Sequence, residues 1–230
     1  MPVTNVTRQT GEGWSLLKLS SPDGLNKLGS ETLESLYGEL VTILSGGDCR
    51  CLAIVGEGRS FAVGADLREV GQLTPESARS FSDLGNRVFR LIESSEAVVV
   101  AGIDGFCLGG GLDLALAADW RMATSSSLFG HPGADLGIIT GFGGTQKLGR
   151  LVGQQRSLMW IFTASRIQAR EAYNAGFLQE ICPPDRFSAA VERRVKTFSE
   201  LSHEWVRTVK NRFRYQEDGW EGFRNSPVLP

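Results

Sequence analysis

Short apolar runs and longer amphipathic stretches alternate along the first half of the chain. The runs WSLLKLSS, CLAIVGEG and AVVVAGIDG each end in turn residues and predict β-strands, the last of them buried on both faces. Between the first two runs, residues 30–47 predict a helix that Ser30 caps. Its apolar face is Leu33, Leu36, Leu40, Val41 and Leu44.

A second amphipathic helix is predicted after Pro75, with an inward face of Phe81, Leu84, Val88, Leu91 and Ile92. Strands separated by single helices indicate an α/β core with parallel or crossover connections. A further strand is expected within WRMATSSSLFG, and beyond Gly137 the pattern becomes helical. We therefore predict a core domain over residues 1–184 and a helical C-terminal segment over 185–230, with a soft boundary near Asp185 and no long linker.

Composition and charge exclude several classes of protein. Hydrophobic residues make up 41% and charged residues 22%, as in ordinary globular domains. The net charge of −2 argues against bulk attraction to nucleic acid or membranes. Residues 185–215 nevertheless carry eight Lys or Arg against four acids, which fits either a solvated helix face or a contact with a polyanionic ligand.

The same features set expectations for location and metal content. No basic-then-apolar signal pattern and no run of about 18 apolar residues occurs, so we expect a cytoplasmic protein. Four cysteines without CxxC spacing are expected to be reduced and mostly structural. With only two histidines, a zinc site is not expected.

Two glycine-rich turns are candidates for binding an anion. Gly109, Gly110 and Gly111 follow a buried strand and open a helix, where free backbone N–H groups and the positive end of the helix dipole point outward. Gly64 precedes Ala65 and a short helix that begins in ADLREV. Two such N–H groups aimed at one oxygen would form an oxyanion hole, worth about 3–4 kcal/mol per donor. Sequence spacing leaves open whether they converge, and a tight packing turn is the alternative.

Three segments resemble, in order and spacing, diagnostic segments of the crotonase superfamily of enoyl-CoA hydratases and isomerases. They are SFAVGADLREV, GIDGFCLGGGLDLALAADWRMATSSSLFGHPGADLGIITGFGGTQKLGRLVG and TASRIQAREAYNAGFLQEI, and the resemblance covers about residues 3–182. It implies an α/β fold with a ββα superhelix core, a helical C-terminal region that supports trimers or pairs of trimers, and acyl-CoA thioester substrates. No cofactor is implied beyond the coenzyme A of the substrate.

The resemblance also assigns roles to individual residues. The N–H groups of Ala65 and Gly110 would hold the thioester oxygen, and the loop over residues 58–62 would lie against the adenosine. Arg68 or Arg59 could meet phosphates, as could Lys210 or Arg212 if the shortened C-terminal segment still covers CoA. The substrate-binding set is Ala62, Gly64, Asp66, Arg68, Gly109 and Gly133.

The acids depart from the hydratase pattern. Asp113 stands in GGGLD where hydratases of the family read GGG-x-E, while Gly133 and Gly141 stand at positions that hold acids in various members. Glycine cannot transfer a proton, so another group must act. His131, whose ordinary pKa near 6.5 suits proton transfer, and Asp135, two residues past Gly133, are the candidates. Each also has a structural alternative: Asp113 as a helix-cap acid, Asp135 as a turn acid and His131 as a structural histidine.

We therefore expect an enzyme that stabilises a thioester enolate and moves protons with Asp113, assisted by His131 or Asp135. Hydration of an enoyl-CoA or isomerisation of its double bond is the leading prediction. Decarboxylation of a malonyl-type thioester, which mainly needs the oxyanion hole, is the alternative within enzymes. An acyl-CoA-binding protein that has lost its chemistry is the alternative outside them.

Overall fold

Pairs of strands, each pair followed by a helix, build most of the fold. In the computed structural model, which describes residues 3–215, a first hairpin is followed by three such repeats and then by a largely helical region. The first part comprises β1 Asn5–Gly11, β2 Trp14–Ser20, α1 Ser30–Ser45, β3 Cys51–Gly56, β4 Ser60–Ala62, α2 Leu67–Val70, α3 Pro75–Ser94, β5 Val98–Ile103, β6 Phe106–Leu108, α4 Gly110–Ala117, β7 Trp120–Thr124, β8 Leu128–Gly130 and α5 Gly133–Leu136. The remainder comprises α6 Gly144–Val152, α7 Gln154–Phe162, β9 Ile167–Gln168, α8 Ala169–Asn174, β10 Glu180–Cys182, α9 Phe187–Ser199 and α10 His203–Tyr215.

Each repeat contributes one strand to each of two sheets. The larger sheet has the order β1-β2-β3-β5-β7-β10, in which only β1 runs antiparallel to its neighbour. The smaller sheet has the order β4-β6-β8-β9, with β8 and β9 antiparallel. This arrangement confirms the predicted α/β class and its ββα repeat.

Apolar side chains cover both faces of the larger sheet. On one face, leucines of α1 and aromatic and aliphatic residues of α3 form the main core with the buried helix α4. On the other face, Ala190, Val191 and Val195 of α9 pack on β3 and β5. Because both faces are covered, β3 and β5 are apolar almost throughout, as their sequences predict.

Several local predictions are wrong in an instructive way. Ser30 does not cap α1; its N–H and hydroxyl donate instead to the carboxylate of Glu69 on α2, and Gly29 is the N-cap residue. Val41 is 40% exposed and lies off the buried face. The single strand expected within residues 120–130 is two strands, because Ser127 donates to the Thr124 carbonyl and turns the chain.

Helices α9 and α10 follow the predicted boundary near Asp185, and they pack on the core formed by the preceding residues. Arg193 and Arg194 pair with Glu180, and Lys210 of α10 pairs with Asp119 and the Ala97 carbonyl. These contacts account for part of the basic run, while its end at Arg214 and Tyr215 and the tail to residue 230 lie outside the described side chains. The division into two domains stays a prediction. Within residues 3–215, no helix is long and apolar enough to cross a membrane.

Candidate active site

The backbone after β4 is pressed against the start of α4. Gly64 has φ +89°, and a Cβ at this position would lie 2.9 Å from the Gly110 nitrogen. Only glycine allows both this conformation and this approach. The Leu28 N–H donates to the Gly64 carbonyl at 2.8 Å, and a trans peptide places its N–H opposite its C=O, so the Ala65 N–H points away from Leu28.

The second backbone segment is fixed by the neighbouring strand. Gly109 has φ +53°, and its N–H donates to the Gly130 carbonyl at 2.9 Å. Gly110 then begins α4, where helix N–H groups have no partner within the helix. Neither the Ala65 nor the Gly110 N–H donates to any group in the described part of the chain. Two free donors on adjacent backbones meet one requirement of an oxyanion hole. That both point at the same oxygen stays a prediction.

Asp113 is fully buried on α4, and its carboxylate is enclosed by protein groups. Its Oδ1 lies 3.2 Å from His131 Nε2, and its Oδ2 accepts a hydrogen bond from the Thr140 hydroxyl. A Cβ at Gly144 would lie 1.8 Å from Oδ1, so this side is closed as well. The predicted pair Asp113 and His131 is therefore in direct contact, but the carboxylate itself faces protein and not open space.

His131 connects the buried carboxylate to a cavity. It follows β8, is 8% exposed and lines a cavity of about 430 Å³. Because a carboxylate only accepts hydrogen bonds, the contact with Asp113 places the proton of a neutral imidazole on Nε2. Nδ1 is then a free acceptor, and a Cβ at Gly133 would lie 3.9 Å from it.

The cavity is mostly apolar and lies between the loop around α5 and the helices α6 and α7. Ile138, Ile139, Leu158, Ile161 and Phe162 form much of its wall. Its polar groups include His131, Thr140, Ser157 and Gln154, and no lysine or arginine from the described residues lines it. Such a wall suits an uncharged hydrocarbon chain with one reactive end.

Of the two positions of absent acids, Gly133 is sterically closed. A Cβ at Gly133 would lie 2.3 Å from the Ile138 carbonyl oxygen, which is a backbone atom, whereas one at Gly141 would lie 2.9 Å from the side-chain hydroxyl of Ser82, which can rotate. Asp135 is exposed on the one-turn helix α5 and is not part of the cavity wall. The structure thus brings His131, but not Asp135, to Asp113.

Three of the expected CoA-binding residues lie on β4, on α2 and in the turn between them. Ala62 is buried with its carbonyl against Gly111, and Asp66 caps α2 by accepting from the Arg68 N–H at 2.9 Å. The exposed Arg68 borders a separate cavity of about 460 Å³ with Lys27. Their contacts with CoA stay predictions.

The other candidate cations have protein partners or lie elsewhere. Arg59 donates to the Asp23 carbonyl at 3.1 Å. Lys210 is held by Asp119, which follows the C-terminal end of α4, whereas Gly110 lies at the N-terminal end of that helix. Lys210 is therefore at the opposite end of α4 from Gly110. Arg212 also lies on α10.

The thiols carry no charge at this site. All four cysteines are free, and Cys107 is fully buried beneath Gly111. Burial, and secondarily the Asp113 carboxylate, raise the pKa of Cys107 well above its usual range. Among the described residues, no group of three or more His, Cys, Asp or Glu side chains is placed to hold a metal ion.

One polar contact could not be found from the sequence. Thr140 lies in a glycine-rich loop, and nothing in ITGFGG indicates that its hydroxyl reaches a carboxylate 27 residues earlier in the chain. Only the folded path of residues 137–143 over α4 brings the two together.

Comparison with known proteins places this geometry in context. The family model described as enoyl-CoA hydratase/isomerase matches residues 9–221. The chain is 37% identical over 194 residues to crotonyl-CoA hydratase of Syntrophomonas wolfei, covering 84% of this chain and 75% of that protein. It is also 37% identical over 185 residues to short-chain-enoyl-CoA hydratase of Clostridium acetobutylicum, covering 80% and 71%. The crystal structure of enoyl-CoA hydratase from Bacillus anthracis superposes with a TM-score of 0.89 at 29% identity, covering 96% of this chain and 87% of that one.

Proposed function

This chain belongs to the enoyl-CoA hydratase/isomerase family, and we propose that it adds water to the double bond of an enoyl-CoA through a histidine–aspartate pair. The observation that carries the proposal is the contact of buried Asp113 with Nε2 of His131, a residue that also lines the apolar cavity. This pair supplies a proton acceptor at a site where Gly133 cannot act.

The proposed reaction begins with a water molecule beside His131. Nδ1 takes a proton from the water as its oxygen bonds to the β-carbon of the acyl group, and the double-bond electrons shift toward the thioester oxygen. The N–H groups of Ala65 and Gly110 hold the resulting enolate, each worth about 3–4 kcal/mol. The imidazolium then returns the proton to the α-carbon, which restores the thioester and the neutral histidine.

Asp113 acts through His131 in this scheme. It orients the ring and stabilises the imidazolium while the proton resides there, as a buried carboxylate does in Ser-His-Asp sites. Because one nitrogen both removes and returns the proton, hydroxyl and hydrogen should add to the same face of the double bond.

Isomerisation of the double bond is the second candidate. It needs one group that removes a proton from one carbon and returns it to another, and the lone His131 facing the cavity favours such a transfer. Decarboxylation of a malonyl-type thioester has less support, because no described cationic side chain lines the cavity to hold its carboxylate. Assembly as a homotrimer or a pair of trimers and cytoplasmic residence remain predictions.

The test uses mass spectrometry to identify the products that the protein forms in heavy-oxygen water. Crotonyl-CoA, a 3-enoyl-CoA and methylmalonyl-CoA are incubated with wild type, Asp113→Asn, His131→Gln and the control His203→Gln. His203 is the other histidine; it lies on α10 beside Glu96. We expect one labelled oxygen in the crotonyl product, lost at least a hundred-fold in both site variants but not in the control.

Products other than the labelled hydroxyacyl-CoA would contradict the proposed hydration. A shifted double bond would favour isomerisation, and loss of carbon dioxide would favour decarboxylation. Tight binding of CoA esters by calorimetry without turnover of any would favour the non-catalytic class and refute the enzyme. Full hydration activity in His131→Gln would refute the role of the histidine.

A further inference from the structure

The second oxygen of the Asp113 carboxylate has its own partner, the hydroxyl of Thr140, which takes no part in the proton transfer proposed above. The Thr140 hydroxyl donates to Oδ2, while His131 Nε2 contacts Oδ1. The Phe142 N–H donates to the Thr140 oxygen at 3.2 Å. Since a hydroxyl has one proton and two lone pairs, accepting from Phe142 leaves its proton directed at Asp113.

The loop that carries Thr140 is anchored on its C-terminal side. The Gly141 carbonyl accepts from Ser82 Oγ and Asn86 Nδ2 of α3, both at 2.8 Å. The Phe142 ring is 4% exposed and packs against Phe81 and Phe89, with centroids 5.5 and 5.4 Å away. Thr140 is therefore held by α3 at a fixed position over α4.

Two different donors on two carboxylate oxygens fix the rotation of the Asp113 side chain. If Oδ2 lost its donor, it would be a buried charged atom without a partner, and rotation toward His131 would relieve this. We propose that Thr140 is a positioning residue: its hydroxyl holds Asp113 so that His131 keeps its proton on Nε2 and presents Nδ1 to the substrate. The expected effect on kcat rests on the proposed function, whereas the expected effect on the tautomer of His131 does not.

The kinetic test compares Thr140→Val, Thr140→Ser and the control Thr42→Val. Valine matches threonine in shape but lacks the donor, and serine retains it. Thr42 is exposed on α1, where its hydroxyl bonds the Gly38 carbonyl. For crotonyl-CoA hydration we expect kcat to fall about 10–100-fold in Thr140→Val with KM within about two-fold, and to recover to within about three-fold of wild type in Thr140→Ser.

The second readout does not depend on turnover. Because the chain has only two histidines, ¹⁵N NMR of the imidazoles can be assigned with His203→Gln. We expect the Nε2–H tautomer for His131 in wild type and Thr140→Ser, and a mixed tautomer in Thr140→Val. In an Asp113→Asn background, adding Thr140→Val should cause no further loss of kcat, since both act through the same carboxylate.

The outcomes separate the two hypotheses. Wild-type kcat and an unchanged tautomer in Thr140→Val would overturn the positioning role, as would equal impairment of the valine and serine variants with an unchanged tautomer. If wild type converts no enoyl-CoA, the proposed function fails, and the tautomer in Thr140→Val alone then supports or overturns the role of Thr140.

Discussion

Restoring the acid that Gly133 lacks should harm this protein. A Cβ at Gly133 would lie 2.3 Å from the Ile138 carbonyl oxygen, whereas real Cβ contacts are essentially never under 3.0 Å. The backbone must therefore move by at least ~0.7 Å, which corresponds to overpacking that costs about 1–3 kcal/mol. The hydrogen bond from the Ile138 N–H to the Gly133 carbonyl, 2.9 Å long, closes the same turn and must distort with it.

The matched variants are Gly133→Ala and Gly133→Glu. Alanine would add about 0.5–1 kcal/mol of helix stability at an open site, so the net loss expected here is up to about 2.5 kcal/mol, with a midpoint of about 1.3 kcal/mol. With an m-value of about 3 kcal/mol/M, the midpoint value lowers the urea midpoint by about 0.4 M. Glutamate shares the clash and also extends its chain past His131 Nδ1, which lies 3.9 Å from the Cβ position. We therefore expect slower hydration in Gly133→Glu than in Gly133→Ala.

The assays are urea unfolding followed by fluorescence and the loss of enoyl absorbance with crotonyl-CoA. Gly38→Ala is the control, because a Cβ there meets nothing within 4 Å, and it should be neutral or stabilising. Faster hydration in Gly133→Glu at wild-type stability would refute the reasoning, since it would show that the site accepts the two-acid mechanism and does not depend on His131.

Three further perturbations test other parts of the structure. Gly64→Ala, with φ +89° and a contact of 2.9 Å with the Gly110 nitrogen, should lower kcat about 10²–10³-fold by displacing an oxyanion donor; unchanged kcat would contradict that assignment. Hydrogen bonds from the Leu25 N–H and the Ser21 hydroxyl, together with Lys27, lower the pKa of Asp23 below its ordinary value of 3.8. The ionised carboxylate therefore stabilises the fold above pH 3.8, and this contribution is lost as the pH falls through the pKa of the folded state. Urea midpoints of wild type and Asp23→Asn should therefore differ near neutral pH and converge in strong acid. Burial raises the pKa of all four thiols, and because Cys49 alone is partly exposed, alkylation followed by peptide mapping should modify it first and Cys107 last.

The sequence predicts the parts of this fold whose signals are local. The apolar runs of β3 and β5 and the helical periodicity of α1 and α3 depend on burial within one element, and the structure confirms them. The strand β1 is exposed or half-exposed throughout, so it has no apolar alternation that could reveal it. Ser30 failed as a cap because its partner, Glu69, comes from another helix 39 residues away.

In the candidate site too, the sequence predicts the features with local signals but not the contacts between distant segments. Gly64 and Gly109 are recognisable because a positive φ and a close backbone approach leave few alternatives to glycine. The pairing of Asp113 with His131 joins helix α4 to the residue that follows β8, and Thr140 reaches the same carboxylate from a third segment. No residue spacing encodes these contacts, so the sequence could supply candidates but could not choose His131 over Asp135.

The burial of Asp113 bears directly on whether this site is catalytic or retired. Burying a carboxylate is costly unless it is paired, and a buried polar pair generally adds little stability compared with apolar residues of similar volume. Here both oxygens are engaged by residues of the cavity wall, so the charge can act on a substrate only through His131 or Thr140. A helix-capping acid would need neither the contact with the histidine nor a histidine in the wall of an apolar cavity. The arrangement therefore supports the proposed proton-transfer pair over a capping acid, with His131 as the member of the pair that lines the cavity.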